Sequence, residues 1–364
     1  MKRLHVELKR LADHSYDIHL GHNILDRLPP LLARNKWGDR YVVITDETVE
    51  SIHGEAFCTR LANAGLLVER LAFPAGEKSK NMETILKLAE RLLDLRCDRA
   101  SCLIALGGGV VGDITGFLAS IYMRGISYLQ VPTTLLAQVD SCIGGKTGVD
   151  IPAGKNLLGT FYQPKAVFVD TAFLSTLPEV EYRNGLAEIV KYGLIDSSEL
   201  FQFLEEKKKD ILSRQKEVLD LIILESCRIK KGIVELDERE AGIRRILNFG
   251  HTIGHAIERA LNYDYPHGQA VSIGMVAAAR LSEAMGYLHS RARTRIEKLL
   301  EALELPCHLP FSVTPENILT GIQADKKQEK GEVNFVLLKE IGLPFVRGKI
   351  KEDLIAKVLR ELAS

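Results

Sequence analysis

The sequence predicts an α/β protein in two parts: a mostly parallel sheet covered on both faces, followed by an all-helical domain. Three observations carry this. Short apolar runs alternate with amphipathic stretches through the first half, a glycine-rich turn joins one run to a helical stretch, and strand-like runs give way to helical periodicity after about residue 177. At 364 residues the chain also exceeds what one hydrophobic core usually holds, so two domains are expected. The boundary falls near 170–178, giving domains 1–175 and 176–364.

The strand candidates in order are 5–8 and 16–20, then 41–45, 67–73, 102–106, 128–131 and 166–169. Helical patterns lie between several of them; in 82–95 apolar residues recur every three or four positions. Strand alternating with helix builds βαβ units and hence a parallel sheet. The opening pair reads as a hairpin added at one end. Beyond Pro178 the helices expected are 179–196, 198–212, 214–235, 248–261, 268–286 and 291–303, and only 333–338 again reads as a strand.

Composition narrows the function classes. Apolar residues make up 46% and charged residues 26%, the balance of an ordinary globular enzyme. Lys plus Arg equals Asp plus Glu at 48 each, which speaks against a broad nucleic-acid-binding face and leaves room for a local basic pocket. The six cysteines form no C-x-x-C pair, so reduced, mostly buried thiols of a cytoplasmic protein are expected. The start MKRLHVELKR has no apolar core and carries Glu7, unlike a signal peptide. The small-apolar stretch 270–279 is about half a membrane span, so no membrane partner is expected.

Residues 102–116 read CLIALGGGVVGDITG, a strand entering G-x-G-x-x-G and then a helix. Glycines let the backbone approach a pyrophosphate, and the helix behind them presents free N–H groups. A tight structural turn uses the same glycines; the strand–turn–helix context favours a dinucleotide. The ribose-binding acid expected about 20 residues further on is missing from the next strand. It is sought instead at Asp46 or in the stretch 74–80. Gly145-Lys146-Thr147 ends like a nucleoside-triphosphate loop, but Asp140 replaces the leading glycine and excludes that reading.

In the second half, His251 and His255 stand four apart on one helix face, and His267 follows in a Pro-His-Gly turn. Glu188 and Lys191 share a face of an earlier helix. Two histidines and a carboxylate suffice for zinc with an open position. The spacing leaves two ligand pairs: His251 with His255, or His251 with His267 and His255 left for proton transfer. Motif-embedded cations (Arg124, Lys146, Lys155, Lys191, Lys230, Arg244 and Lys326), with Asn156 and Asn248, suit a substrate bearing phosphate and carboxylate.

The runs GGGVVGDITGFLAS, YMRG, QVPTTLLAQVDSCIGGKTGVD, GKNLLGTFYQP, NGLAEIVKYG, LNFGHTIGHAIE and HGQAVSIGM resemble the 3-dehydroquinate synthase family, from about residue 40 to the end. The resemblance implies a Rossmann-like domain, a helical domain, bound NAD, one zinc or cobalt ion and a homodimer. It implies conversion of 3-deoxy-D-arabino-heptulosonate 7-phosphate to 3-dehydroquinate and phosphate in the shikimate pathway. The chemistry implied is transient oxidation, phosphate elimination, re-reduction, ring opening and an intramolecular aldol closure.

Position by position, Glu188, His251 and His267 match the family's metal ligands, which makes His255 a proton-relay residue. Asp140, Lys191, Lys230 and Glu240 resemble groups around the substrate hydroxyls, and Arg244 with Lys230 those around its carboxylate. Lys146, Asn156, Asn248 and Lys326 resemble phosphate contacts, with Arg124 supplied by the partner subunit and Lys327 a neighbour competing with Lys326. Asp46, Glu77, Lys80, Gly108, Gly109, Val110, Asp113, Thr133, Thr134, Asp140, Lys146, Lys155 and Thr176 resemble NAD contacts. The one departure is Cys142, where the family often has serine.

Three other readings compete. A sister sugar phosphate cyclase would take a heptulose without a carboxylate, which the intact Arg244–Lys230 clamp disfavours. A metal-dependent polyol dehydrogenase would carry Asp-x-x-x-His where this chain has Glu188 and Lys191. A non-catalytic NAD sensor would have lost ligands or clamps, and none is missing.

Overall fold

Six strands form one parallel sheet in a computed structural model that describes residues 13–240, 242–328 and 333–363. The elements of the first half run β1 (Asp17–Gly21), α1 (Leu28–Asn35), β2 (Arg40–Asp46), α2 (Glu47–Val49), α3 (Glu55–Asn63), β3 (Val68–Phe73), α4 (Met82–Asp94), β4 (Ser101–Gly107), α5 (Gly109–Ile121) and β5 (Ser127–Pro132). Then come β6 (Lys146–Ile151), β7 (Gly154–Phe161) and β8 (Ala166–Asp170). The sheet order is β1-β8-β5-β4-β2-β3. From β2 the chain steps outward to β3 and returns to the other side at β4. The order therefore reverses between β2 and β4, and in open α/β sheets ligands bind at the carboxyl ends of the strands flanking such a reversal. Those ends are Asp46 and Gly107.

Both faces of the sheet are covered, as its uninterrupted apolar strands require. Val42, Ile44, Leu103 and Ala105 pack with Leu88 of α4 and Ile114 of α5. The alternate residues Tyr41, Val43, Ile104 and Leu106 pack on the other side with Leu32 of α1 and Leu61 of α3. The helix 82–95 expected from periodicity is α4; Asn81 caps it by accepting from Thr84 N at 3.0 Å.

The second half contains α6 (Glu179–Ile195), α7 (Ser198–Leu212), α8 (Lys216–Leu236), α9 (His251–Ala260), α10 (His267–Ala284), α11 (Ser290–Ala302) and α12 (Pro315–Gln328). A two-stranded ribbon, β9 (Phe335–Glu340) and β10 (Leu343–Arg347), and α13 (Glu352–Ala363) close the chain. Helical residues such as Ile189, Ile223, Ile253 and Val271 share one core with Val167 and Val169 of β8. Two glycines set how closely the helices approach. A Cβ on Gly268 would lie 2.1 Å from the carbonyl oxygen of Asn184 in α6, and one on Gly274 would lie 1.9 Å from that of Gly250 before α9. Among the described residues no helix is long and apolar enough to cross a membrane.

β1 pairs in parallel with β8, Asp17 against Ala166, at one end of the described sheet; its expected hairpin partner, 5–8, lies outside the described residues. Three features depart from the sequence-based expectations. The antiparallel β6–β7 hairpin occupies a stretch read only for its binding motifs. The expected helix 248–261 begins at His251, after a 3-10 turn over Ile243–Asn248. The helices α12 and α13 and strand β10 were not expected.

Candidate active site

Three helices meet at one buried carboxylate. Glu188, 1% exposed, projects from α6; His251 is the first residue of α9, after Gly250 in the left-handed region (φ 82°); His267 is the first of α10, after Pro266. Glu188 Oε1 lies 3.6 Å from His251 Nε2 and 3.8 Å from His267 Nε2. Ligand atoms of the three residues all fall within 4.8 Å of one another. Lys191 ion-pairs with Oε2 one turn along, yet neither Glu188 oxygen has a hydrogen-bond partner among the described residues. A buried carboxylate left in that state is costly, and a cation between it and the two imidazoles would remove the cost.

The imidazoles are arranged to serve such an ion. His251 Nδ1 faces the carbonyl of Phe249 at 3.2 Å, which leaves Nε2 as the lone-pair nitrogen facing Glu188. Burial and the nearby Lys191 charge push the His251 pKa well below its ordinary value, toward the neutral ring that ligation needs. His255, one turn further along α9 and half exposed, stands outside this triad. It groups instead with Glu258 and again His267.

Further charged residues pair on neighbouring elements. Asp140 lies on the π-helical turn Ala137–Ser141; its Oδ1 accepts from Lys230 Nζ at 2.7 Å and from the Tyr192 hydroxyl at 2.6 Å. Burial alone would raise the Asp140 pKa, but the Lys230 and Lys191 charges outweigh it and hold the carboxyl far below the usual carboxylate range. Arg244, 2% exposed, donates to the Glu238 carbonyl, while its Nε has no hydrogen-bond partner among the described residues. Gly144, at φ 100°, gives it room: a Cβ there would lie 2.5 Å from Arg244 Nη2. Glu240 joins Lys146, by an ion pair, to Asn248, whose Nδ2 donates at 3.0 Å.

On the sheet side, the first turn of α5 is capped by Gly108, which has no side chain to occupy its N–H groups. A Cβ on Gly108 would press on Thr134 Cγ2 at 3.1 Å, and one on Gly109 on Ser141 Oγ at 3.1 Å, so the bare backbone at the β4–α5 turn fits a pyrophosphate. Lys80 Nζ contacts Asp113 Oδ2 at 2.6 Å and Asn156 Oδ1 at 2.6 Å, the latter residue held at φ 56°. Lys155 Nζ bridges Glu77 at 3.4 Å and Glu258 at 3.7 Å.

Two family models match adjoining segments, 3-dehydroquinate synthase N-terminal over residues 70–184 and 3-dehydroquinate synthase C-terminal over residues 185–328. The chain belongs to the 3-dehydroquinate synthase family. A 3-dehydroquinate synthase of Geotalea uraniireducens is 46% identical over 91% of this chain and 92% of its own. Among solved structures, a 2-epi-5-epi-valiolone synthase from Streptomyces hygroscopicus subsp. jinggangensis, with NAD+ and Zn2+ bound, superposes with a TM-score of 0.90 at 30% identity, covering 98% of this chain and 99% of that one. A 2-deoxy-scyllo-inosose synthase complexed with carbaglucose-6-phosphate, NAD+ and Co2+ gives 0.87 at 29% identity, covering 94% and 96%.

The positions matched to the 3-dehydroquinate synthase family sort into three groups. Glu188, His251, His267, Lys191 and His255 gather at the helical junction, while Asp140 with Lys230 and Lys146 with Glu240 form ion pairs near it. Asp46 ends β2 and caps the following turn, accepting from Thr48 N and Val49 N at 2.9 Å each. Val110 lies in the first turn of α5; Thr133 N donates to the Gly107 carbonyl, Thr134 Oγ1 accepts from Ala137 N, and Thr176 Oγ1 pairs with His53 Nε2 at 2.9 Å. Arg124 is exposed in the turn after α5, and no ion pair or hydrogen bond among the described residues ties it to the cluster. Lys326 and Lys327 fall in the last turn of α12, with side chains outside the described residues. Sequence reasoning passed over Tyr192 and Glu258. Glu258 carried a legible signal, since His251, His255 and Glu258 fall on one helical face.

Proposed function

We propose that this chain is an NAD- and metal-dependent 3-dehydroquinate synthase, converting 3-deoxy-D-arabino-heptulosonate 7-phosphate to 3-dehydroquinate and phosphate. The observation that carries this reading is the Glu188–His251–His267 cluster with its unsatisfied carboxylate, set among buried cations. The two sugar phosphate cyclases with nearly the same fold hold NAD+ with Zn2+ or Co2+, which supports the same cofactors here. When bound, the ion acidifies substrate hydroxyls as a Lewis acid and NAD supplies a transient hydride acceptor.

The chain's own residues bind, orient and move protons. Glu188, His251 and His267 would hold the ion; the β4–α5 turn with Asp46, Glu77, Lys80, Asp113, Thr133, Thr134, Lys155 and Thr176 would hold NAD. Arg244, whose Nε is open, and Lys230 grip the substrate carboxylate, the guanidinium offering a planar fork. Lys146, Asn156, Asn248 and Lys326 receive the phosphate. Its arrival would take Lys146 and Asn248 from Glu240, and Asn156 from Lys80, because these groups pair with one another. His255 carries a proton at its half-exposed ring. Asp140, kept ionised by Lys230, and Lys191 align the hydroxyls. Most of the catalytic contribution is orientation and fixed charge.

We further propose a division into residues 1–175 and 176–364, a cytoplasmic location and a homodimer in which Arg124 reaches the partner's site. Six free cysteines, five of them buried, support a reducing compartment. The test is phosphate release from the heptulosonate phosphate with catalytic NAD and added zinc or cobalt, following the reduced-nicotinamide band in the same cuvette. Stoichiometric phosphate without accumulating NADH is expected. Steady NADH formation would make the chain a dehydrogenase, and activity only on a carboxylate-free heptulose phosphate would move it to a sister cyclase.

A further inference from the structure

Glu258 is 4% exposed on α9, three residues after His255 and seven after His251 on the same helix face. A carboxylate that deep is tolerated only when its oxygens are paired. Here the pairing is divided. Oε2 lies 3.3 Å from His267 Nδ1 and 4.0 Å from His255 Nε2, while Oε1 faces Lys155 Nζ at 3.7 Å. The two nitrogens of His267 thus look at two carboxylates, Nδ1 at Glu258 and Nε2 at Glu188. His251 has the corresponding support from a backbone carbonyl at its own Nδ1. Among the described residues no backbone carbonyl faces Nδ1 of His267, the first residue of α10 after a proline, and the ring depends instead on a side chain from another helix.

We propose that Glu258 is a positioning residue for the metal ion: its carboxylate accepts from His267 Nδ1–H, fixing the ring so that Nε2 points at the ion, and Lys155 of the β6–β7 hairpin balances its charge. The inference rests on Glu188, His251 and His267 being the ligands. Without this acceptor the ring of His267 can rotate, and the Nε2 lone pair no longer has a fixed direction; partners of this kind typically change metal affinity by about 10–100-fold. Lys155 also contacts Glu77, so a line of polar contacts runs from Glu77 through Lys155 and Glu258 to His267.

The experiment uses the full-length, metal-free protein. Zinc affinity is measured by chelator competition, and the cobalt spectrum is recorded at saturation, for wild type, Glu188→Gln, Glu258→Gln and Glu258→Asp. Thermal midpoints of the metal-free proteins check folding. Glu258→Gln should bind zinc about 10–100-fold more weakly and, once saturated, show the wild-type cobalt spectrum, because the ligands are unchanged. Glu258→Asp keeps the buried charge and shortens the reach by one methylene; it should fold in any case and lose about tenfold. Wild-type affinity in both Glu258 variants, with Glu188→Gln having lost the metal, overturns the positioning role alone. Wild-type affinity in Glu188→Gln overturns the ligand set beneath it. An altered cobalt spectrum in Glu258→Gln would make Glu258 itself a ligand, with His255 and His267, and overturn the proposal.

Discussion

Glu188 is surrounded by groups that explain its charge but not its geometry: Lys191 neutralises it, and still its two oxygens lack hydrogen bonds among the described residues. That residual demand underlies the proposed division into metal ligands and a proton relay. His251→Ala or Glu188→Ala should lose the metal, whereas His255→Ala should keep metal and NAD and lose turnover by about 100-fold or more, the scale of one acid–base group. Metal content and turnover measured together decide this; a metal-free His255→Ala protein would reverse the assignment. Glu240 gives a second prediction. Burial raises its pKa, but Lys146 and Asn248 outweigh burial and hold it below the ordinary glutamate value. A depressed folded pKa means stability that is present above the unfolded value of about 4.3 and is lost as pH falls through the folded one. Glu240→Gln should therefore lower the thermal midpoint near neutrality by the equivalent of about 1 kcal/mol or less, Lys146 being half exposed, and converge with wild type in acid. A gap that persists unchanged to acid pH would rule out the charge as its source. The residue scale is also where the sequence was least complete. Spacing alone left the histidine pairing open, because positions four apart on one helix and positions on two helices satisfy the same ligand count. Only the crossing of α6, α9 and α10 groups His251 with His267 and Glu188.

The crossing itself is an element-scale matter and depends on residues without side chains. α10 packs against α9 and α6 through Gly274 and Gly268, where a Cβ would fall within 1.9 Å and 2.1 Å of backbone oxygens. Backbone cannot give way as a flexible side chain does, so Gly274→Ala must part α10 from the start of α9. The expected cost is about 1–3 kcal/mol or more of stability, with weaker zinc binding, because His251 and His267 sit at the starts of the two helices moved apart. Thermal midpoint with and without zinc reads both effects; a variant with wild-type values in each would show that the approach is not needed. Elements with strong periodicity were legible: the strands from 41–45 to 166–169 and helix 82–95 lie where patterning put them, because each buries a continuous face. The β6–β7 hairpin was not legible. β7 is exposed along most of its length, so it carries no alternation, and its glycines and lysine read as a binding loop. The pairing of β1 with β8 was not legible either, because a short strand shows its burial but not a partner far along the chain.

At the scale of the whole molecule, one of the proposed phosphate contacts, Arg124, stands apart from the rest of the cluster. Arg124 sits in a turn where Met123 and Arg124 both adopt positive φ, 49° and 69°, conformations that cost energy in residues with side chains. Around it in sequence and on β7, Ile121, Met123, Leu157, Leu158 and Phe161 are all more than a third exposed. Exposed apolar groups of this size on elements at one side of a domain fit a surface that a second subunit covers. Arg124 at such a surface would act in the partner's site, and a twofold dimer would then contain two sites, each built from both chains. Co-expression of Arg124→Ala and His255→Ala subunits tests this without any structure of the dimer. Each variant alone should be nearly inactive. In a mixed dimer, one site combines the intact His255 of one chain with the intact Arg124 of the other, so random pairing should recover about a quarter of wild-type activity. If Arg124 serves its own chain, every site in every dimer carries one lesion, and co-expression recovers nothing.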